Sequence, residues 1–273
     1  MTAIAVTIAG SDSGGGAGIQ ADLKTFSALG VYGASVIAAL TAQNTRGVTG
    51  IHDVPPDFVT AQIDAVFSDL AVNAVKIGML SNPKTIAAVA AGLKKHHQTK
   101  IVLDPVMVAA SGDRLLVPEA VETLRKVLIP QALLITPNLP EAAALLEGPL
   151  ARTETEMREQ GEKLLALGAR AVLIKGGHGE SAESVDFLVS PEAMVRLASE
   201  RIDTRNTHGT GCTLSSAVAA GLAKGLDLAE SVRQAKVYVT AAIAASDTLK
   251  IGHGHGPVHH FHAWWKDPAA APH

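Results

Sequence analysis

The residues with the clearest chemical potential lie in one short segment, Asn206-Thr207-His208-Gly209-Thr210-Gly211-Cys212. Two glycines one residue apart, at the start of an expected helix, can leave backbone N–H groups free to surround an anion. Cys212, the only cysteine in the chain, falls in the first turn of that helix, where a thiol can have a lowered pKa. The segment therefore predicts an anion hole, built from Gly209, Thr210 and Gly211, beside a candidate base. A buried, inert cysteine is the alternative.

Further polar side chains stand where apolar, strand-like runs end. Asp104 interrupts one run near its carboxyl end, and ligands of open α/β sheets bind beyond the carboxyl ends of the strands. Because an unpaired buried carboxylate is costly, Asp104 is predicted to be a site residue. Asn138 and Glu141 follow the next run and either form a helix cap or hold Mg²⁺ or its waters near a phosphate. Lys175 leaves a third run into a glycine turn, a plausible place for a phosphate contact.

A glycine-rich loop at residues 10–18 follows the first strand-like run and precedes a helix. It lacks the Lys-Ser/Thr of a P-loop, and Ile19 stands where a dinucleotide fingerprint needs its third glycine. The loop therefore either makes a tight turn or lines a substrate pocket, in which Asp12 is the polar side chain that contacts the substrate. Gln43 can donate and accept hydrogen bonds from one amide. It either reads the edge of a heterocycle or is a solvated loop residue.

Composition limits the classes of function. The chain has 273 residues, 47% of them hydrophobic and 18% charged, which is enough apolar surface for one sizeable core. A net charge of −3 gives no electrostatic case for binding nucleic acid. No apolar run reaches the roughly 18 residues of a membrane helix, and no basic region precedes the apolar N-terminus as in a signal peptide. A single cysteine excludes an internal disulfide, so a reducing compartment, the cytoplasm, is expected.

Alternating strand-like and helix-like segments predict the elements that position these side chains. Continuous apolar, β-branched runs suit strands buried on both faces, and apolar stripes at helical spacing predict the helices. Strands are expected at 3–9, 32–40, 74–78, 101–106, 133–135 and 171–174, with a hairpin at 185–189 and 193–202. Helices are expected at 17–29, 57–70, 82–95, 118–128, 153–167, 213–224 and 227–248. The pattern predicts an α/β fold with a parallel sheet covered on both faces.

The C-terminal segment, residues 252–273, is rich in glycine and histidine. Its histidine spacing invites a metal interpretation, but no carboxylate or cysteine joins the histidines before Asp267. A loop that covers a pocket, or a tail that packs on a neighbour through Trp264 and Trp265, is therefore favoured. Residues 1–251 contain no linker and are expected to form one domain, while the end of the tail is expected to be disordered.

Taken together, these residues resemble the ribokinase-like superfamily. More narrowly, the chain resembles the bacterial hydroxymethylpyrimidine/phosphomethylpyrimidine kinases of thiamine biosynthesis. The matching stretches follow the family order over nearly the whole chain: AGSD at 9–12, GGAGIQADLK at 15–24, AQNT at 42–45, KIGML at 76–80, LDPVM at 103–107, TPNLPE at 136–141, KGGH at 175–178, NTHGTGC at 206–212, GHG at 252–254 and GP at 256–257. The resemblance implies a three-layer αβα sandwich with a mainly parallel central sheet.

The resemblance also implies an activity. The chain would use ATP and Mg²⁺ to phosphorylate the hydroxymethyl group of 4-amino-5-hydroxymethyl-2-methylpyrimidine, and then the resulting monophosphate to the diphosphate. A homodimer is implied as well. The beginning of the tail would border the ATP site.

Roles of single residues follow from the same resemblance. Gln43 would read the aminopyrimidine edge, in a substrate pocket completed by Gly10, Asp12, Ala17, Met79 and Val106. ATP is assigned to Asn138, Glu141, Lys175, Thr207 and His208. Mg²⁺ is assigned to Asp104 and Glu141. Cys212 would act as the base, at the position that an aspartate holds in most relatives.

Two other functions stay open at this point. One is a pyridoxal/pyridoxine kinase of the same fold, since the rings and hydroxymethyl groups of the substrates are alike. The other is a non-catalytic vitamin or nucleotide sensor on a kinase fold. Gln43 and Cys212 favour the pyrimidine kinase over the first alternative. The intact set of Asp104, Glu141 and Lys175, with Cys212, speaks against the second.

Overall fold

The structure is a computed structural model that describes residues 1–107, 116–177 and 182–265. The described strands form one sheet with the order β3-β2-β1-β4-β5-β6-β7-β8-β9. In chain order they are β1 (Ile4–Gly10), β2 (Tyr32–Asn44), β3 (Gly47–Asp53), β4 (Ala74–Ile77), β5 (Ile101–Leu103), β6 (Leu134–Ile135), β7 (Val172–Lys175), β8 (Glu183–Val189) and β9 (Met194–Glu200). Neighbours from β2 to β7 run parallel, whereas β3, β8 and β9 pair antiparallel.

Helices cover both faces of this sheet. The described α-helices are α1 (Gly18–Ala28), α2 (Pro56–Asp69), α3 (Pro83–Lys95), α4 (Pro118–Thr123), α5 (Leu139–Leu146), α6 (Glu154–Leu165), α7 (Thr210–Ala223) and α8 (Leu228–Ala244). Along β1, Ala5 packs with the layer of α1, α7 and α8, whereas Val6 and Ile8 pack with the layer of α2 to α6. This alternation is the period of two expected of a strand. The expected three-layer α/β fold with a mainly parallel sheet is confirmed.

Several element boundaries differ from the expectation. β2 continues through residues 41–44, which were expected to be a loop, and pairs there with β3, a strand that the sequence did not predict. The strand expected at 101–106 ends at Leu103, two residues before Pro105, which has no N–H to donate to a ladder. The long helix expected to reach residue 248 ends at Ala244.

The described part of the C-terminal segment packs on its own chain. His255 N donates to Thr45 O at 2.8 Å, and His208 N donates to Gly256 O at 3.0 Å. No group of three or more metal-ligating side chains occurs within the described ranges. The end of the tail, where disorder was expected, falls at 266–273 and lies outside the described residues. Within the described ranges, no helix is long and apolar enough to cross a membrane.

A buried carboxylate connects four of these elements. Both carboxylate oxygens of Asp22, which belongs to α1, lie 2.8 Å from Lys76 Nζ of β4. The same carboxylate accepts a hydrogen bond from Thr7 Oγ1 of β1 at 2.6 Å and from Ser216 Oγ of α7 at 2.6 Å. Asp22 and Lys76 are fully buried. Four acceptor positions are therefore filled, as a buried carboxylate requires.

We expect the substitution Lys76→Met to reduce the free energy of unfolding by about 3–5 kcal/mol, because it leaves a buried carboxylate without its counter-charge. Urea unfolding followed by circular dichroism measures this. Lys95→Met is the matched control, since Lys95 forms an equally short ion pair, 2.8 Å from Asp64, in an exposed position. A loss no larger for Lys76→Met than for Lys95→Met contradicts the prediction.

Candidate functional site

A pocket of about 690 Å³ opens at the carboxyl ends of the parallel strands. Asp104 enters it just after β5, Lys175 enters it from the end of β7, and the first turn of α7 borders it. Every residue that the sequence analysis assigned to the site lines this pocket, with the exception of Asp12. The topology therefore brings together side chains that are up to 202 positions apart in the chain, from Gly10 to Cys212.

Asp104 and Lys175 form a buried ion pair in the pocket. Lys175 Nζ lies 2.8 Å from Asp104 Oδ1, which also accepts a hydrogen bond from Thr136 Oγ1 at 2.9 Å. Burial acts to raise the pKa of Asp104, but the charges of Lys175 and Lys76, with these hydrogen bonds, hold that pKa below its usual value. Burial acts to lower the pKa of Lys175, but Asp104 and Glu141 raise it overall. Both groups are therefore charged at neutral pH.

Glu141 is held by the cap that begins α5. Its Oε2 accepts a hydrogen bond from Asn138 N at 2.8 Å, and Asn138 Oδ1 accepts one from Glu141 N at 2.9 Å. The capping interpretation of this pair is confirmed. Glu141 Oε2 also lies 3.9 Å from Lys175 Nζ. Burial, opposed by the charge of Lys175 and assisted by that of Asp104, raises the pKa of Glu141 to about 7.

The carboxylates of Asp104 and Glu141 fit the expected role in holding Mg²⁺. Carboxylate oxygens are the hard donors that this ion prefers, and Mg²⁺ usually binds one or two carboxylates while it keeps waters and phosphate oxygens. Two acidic groups beside Lys175, with no larger cluster of metal ligands in the described ranges, match this pattern. They do not match a closed cage made of protein ligands alone.

The first turn of α7 leaves two of the three amides predicted for the anion hole, those of Gly209 and Gly211, without an acceptor among the described residues. Gly209 is the N-cap, and its φ of 80° is a left-handed conformation that favours glycine. The Thr210 amide donates to Thr207 O at 3.2 Å, so it already has a partner within the turn. The Cys212 amide, like those of Gly209 and Gly211, has no acceptor among the described residues, as is usual in the first turn of a helix. These three amides remain available to an anion.

The pKa of the Cys212 thiol contradicts the expectation. A lowered pKa was expected at the helix N-terminus, but burial raises the pKa of Cys212 to about 11. The charge of Lys76 acts in the opposite direction and only partly offsets this rise, to which Asp22 and Asp104 add. The residue is half-buried and borders the pocket. Desolvation by the surrounding protein is thus the largest effect on this pKa, and it outweighs the charge of Lys76.

Apolar residues, two of them small, line another part of the pocket. Gly10, Ala17, Met79 and Val106 line it, as the resemblance implies. Gly10 N donates to Met79 O at 3.2 Å, and a Cβ at Gly10 would lie only 2.7 Å from Met79 Cε. Gln43, near the end of β2, lines the same pocket and is half-buried. The alternative prediction, that Gln43 is a solvated loop residue, is therefore wrong.

Asp12 does not line the pocket, whereas His208 does. The carboxylate oxygens of Asp12 accept hydrogen bonds from three backbone amides of the glycine loop, those of Gly14, Gly16 and Ala17. Burial acts to raise the pKa of Asp12, but hydrogen bonds from His208 and these amides lower it overall. Because its acceptors are occupied, Asp12 shapes the loop and is not a substrate handle. His208 Nε2 lies 2.8 Å from Asp12 Oδ2 and 3.5 Å from the Gln43 amide, and the assignment of His208 to ATP stays a prediction.

The sequence analysis missed two lysines that line the pocket. Lys76 gave a signal, because it is the only charged residue in the strand-like run 74–78. Lys236 of α8 gave none: its Nζ lies 2.7 Å from Asp186 Oδ2 of β8, and a pair 50 positions apart has no local pattern. His178, in the matching stretch 175–178, lies outside the described residues.

Comparison with known proteins agrees with the geometry. A family model described as phosphomethylpyrimidine kinase matches residues 12–259. A hydroxymethylpyrimidine/phosphomethylpyrimidine kinase of Rhizobium meliloti is 62% identical over 98% of this chain and 100% of that protein. The solved phosphomethylpyrimidine kinase of Clostridium difficile is 48% identical, with a TM-score of 0.78, over 88% of this chain and 99% of that one.

A Bacillus subtilis pyridoxal kinase solved as an ADP complex is also similar. It has a TM-score of 0.88 and is 40% identical, over 95% of this chain and 98% of that one. This likeness confirms the ribokinase-like fold. The higher identity to the pyrimidine kinase of Rhizobium meliloti confirms the predicted kinase activity and disfavours the alternatives. The chain belongs to the phosphomethylpyrimidine kinase family.

Proposed function

We propose that this chain transfers the γ-phosphoryl group of ATP first to the hydroxymethyl group of 4-amino-5-hydroxymethyl-2-methylpyrimidine, and then to the resulting monophosphate. One observation carries the proposal. A single turn, residues 207–212, contacts both sides of the pocket. Its His208 lies 3.5 Å from the Gln43 amide. Its Gly211 lies beside the Asp104–Lys175 pair, since a Cβ added to Gly211 would be 3.2 Å from Lys175 Nζ. The turn thus lies between a heterocycle-reading amide and a phosphate-binding cation.

The pocket supplies what phosphoryl transfer needs. The reaction requires alignment of the alcohol with the phosphoryl group and neutralisation of negative charge on that group. Lys175 and the free amides of Gly211 and Cys212 would stabilise this charge, as donors in an oxyanion hole do. Asp104 and Glu141 would hold Mg²⁺, which neutralises charge on the phosphates when it is bound.

Cys212 would take the proton of the substrate hydroxyl. A thiol is a base only as thiolate, and with a pKa of about 11 about one molecule in ten thousand is thiolate at pH 7. Proton removal at this site is therefore favoured by higher pH and by the positive charge of Lys76. The homodimer implied by the resemblance stays a prediction.

The proposal is tested by incubation of the protein with ATP, Mg²⁺ and the aminopyrimidine alcohol. Mass spectrometry should detect the monophosphate first and the diphosphate later. Pyridoxal, supplied at the same concentration, should be phosphorylated more slowly, because the chain is more similar to the pyrimidine kinases. Absence of product from either alcohol would favour the sensor function, and faster turnover of pyridoxal would favour the pyridoxal kinase.

The substitution Cys212→Ala should lower kcat about 10²- to 10⁴-fold, the usual contribution of a positioned base, while the circular dichroism spectrum stays that of the folded protein. Steady-state assays of both phosphorylation steps measure the loss. Ser68→Ala, an exposed change on α2, serves as the control. Wild-type turnover by a folded Cys212→Ala protein excludes the thiol as the base.

The raised pKa of Cys212 can be measured directly, because alkylation of the only cysteine in the chain reports on no other thiol. In the ligand-free protein, the rate of reaction with iodoacetamide should increase about tenfold per pH unit from pH 6 to pH 10, without a plateau, since thiolate is the nucleophile. A short unstructured peptide with one cysteine, the control, should level off above its pKa of about 8.5. A plateau below pH 8 for the protein shows that the thiol is acidic and contradicts the structure.

A further inference from the structure

Four polar side chains form a continuous chain beside the substrate pocket. Asp12 Oδ2 lies 2.8 Å from His208 Nε2, which lies 3.5 Å from one end of the Gln43 amide. The other end of that amide lies 3.1 Å from Thr41 Oγ1, and Thr41 Oγ1 donates to Ser11 O at 2.8 Å. The nitrogen and oxygen ends of an amide have nearly the same shape, so these distances suit either of its two orientations.

The protons carried by the neighbouring side chains decide between the two orientations of the Gln43 amide. The Asp12 carboxylate can only accept, so the nitrogen that faces it, His208 Nε2, carries a proton. The hydroxyl of Thr41 has one proton, and its shorter contact gives that proton to Ser11 O, which leaves a lone pair toward Gln43. If the Gln43 amide had Oε1 toward Thr41, a lone pair of Oε1 would face the lone pair of the Thr41 hydroxyl. Its Nε2–H would then face the Nε2–H of His208. Rotation of the amide by 180° removes both conflicts.

We propose that Asp12, His208 and Thr41 are positioning residues that hold the Gln43 amide with Nε2 toward Thr41 and Oε1 toward His208. Nε2 then donates one of its two protons to Thr41 Oγ1, and Oε1 accepts from His208 Nε2–H, which it shares with Asp12. The proposal rests on the proposed function, in which Gln43 reads the substrate ring.

The surrounding backbone keeps His208 in this place. His208 N donates to Gly256 O at 3.0 Å, and Val258 N donates to His208 O at 3.3 Å. The imidazole lies so close to the glycine loop that a Cβ at Gly16 would collide with it. The side chain of His208 is buried. Asp12 is fixed in turn by the amides of its own loop, and it holds the imidazole of His208 toward Gln43.

A held amide selects the substrate by its hydrogen-bonding pattern. Gln43 keeps one free N–H on the Thr41 side and one free lone pair on the His208 side. A 4-aminopyrimidine complements this order, since its ring nitrogen accepts and its amino group donates. A 4-oxopyrimidine, with a ring N–H and a carbonyl, presents the reverse order and matches only the amide rotated by 180°. A site built to pair with specific polar groups rejects a substrate that leaves them unpaired.

Steady-state kinetics with the 4-amino alcohol and its 4-oxo analogue tests the proposal. We expect kcat/KM of the wild-type protein to favour the amino substrate about 100-fold or more. Thr41→Val and His208→Ala should each raise KM for the amino substrate about 10-fold, with a smaller effect on kcat, and lower the amino/oxo ratio about 10-fold. Thr41→Ser, which retains the hydroxyl, should keep the wild-type ratio. A wild-type ratio in both Thr41→Val and His208→Ala overturns the proposal.

Two further measurements separate this proposal from the proposed function. If Gln43→Ala leaves KM for the amino substrate unchanged, Gln43 does not read the ring and the proposed role of this residue fails. Long-range ¹H–¹⁵N correlation spectra, with the His208 signals assigned by their loss in His208→Ala, report the tautomer without any turnover. We expect a proton on Nε2 of His208 in the neutral imidazole. A proton on Nδ1 alone overturns the proposed orientation, whether or not the protein is active.

Discussion

The carboxylate of Asp22 is the constraint on which the arrangement of the other elements depends. It belongs to α1, and it accepts hydrogen bonds from Thr7 of β1, Lys76 of β4 and Ser216 of α7. Ser216 lies one helical turn after Cys212, on the same side of α7. The bond to Asp22 therefore fixes the depth at which the first turn of α7 meets the sheet. A buried ion pair adds little stability compared with apolar packing, but removing either partner leaves an uncompensated charge, so the geometry is strongly held.

The same lysine connects this core with the chemistry of the pocket. Burial acts to lower the pKa of Lys76, but the negative charge of Asp22, with contributions from Cys212 and Asp104, keeps that pKa above its ordinary value. Lys76 is therefore a permanent cation at the base of the pocket. Its field stabilises the thiolate of Cys212, whereas desolvation favours the neutral thiol. The raised pKa of Cys212 records which effect is larger before substrate and nucleotide enter.

Sequence patterns predicted the elements whose burial is periodic and failed where a feature depends on distant partners. The strands beneath the pocket were found because both of their faces are buried, which gives continuous apolar runs in the sequence. Residues 41–44 were missed as a strand because they are polar and lie near the edge of the sheet. The pairing of Lys76 with Asp22, 54 positions apart, has no local signal. The low pKa expected for Cys212 considered only the helix, whereas desolvation depends on everything that packs around the thiol.

One turn of the chain connects the proposed ring-binding amide with the proposed transfer site. His208, which faces Gln43, and Cys212, which lines the pocket near Lys175, are four residues apart. Gly209 between them cannot carry a side chain because a Cβ would collide with Gly16 O. The glycine loop and the turn therefore pack directly against each other. A ring that pairs incorrectly with Gln43 would lie out of line with the amides of Gly211 and Cys212, which belong to the same turn. Because the stabilisation of a transferring phosphoryl group depends on the positions of its donors, selection of the ring acts on the rate as well as on binding.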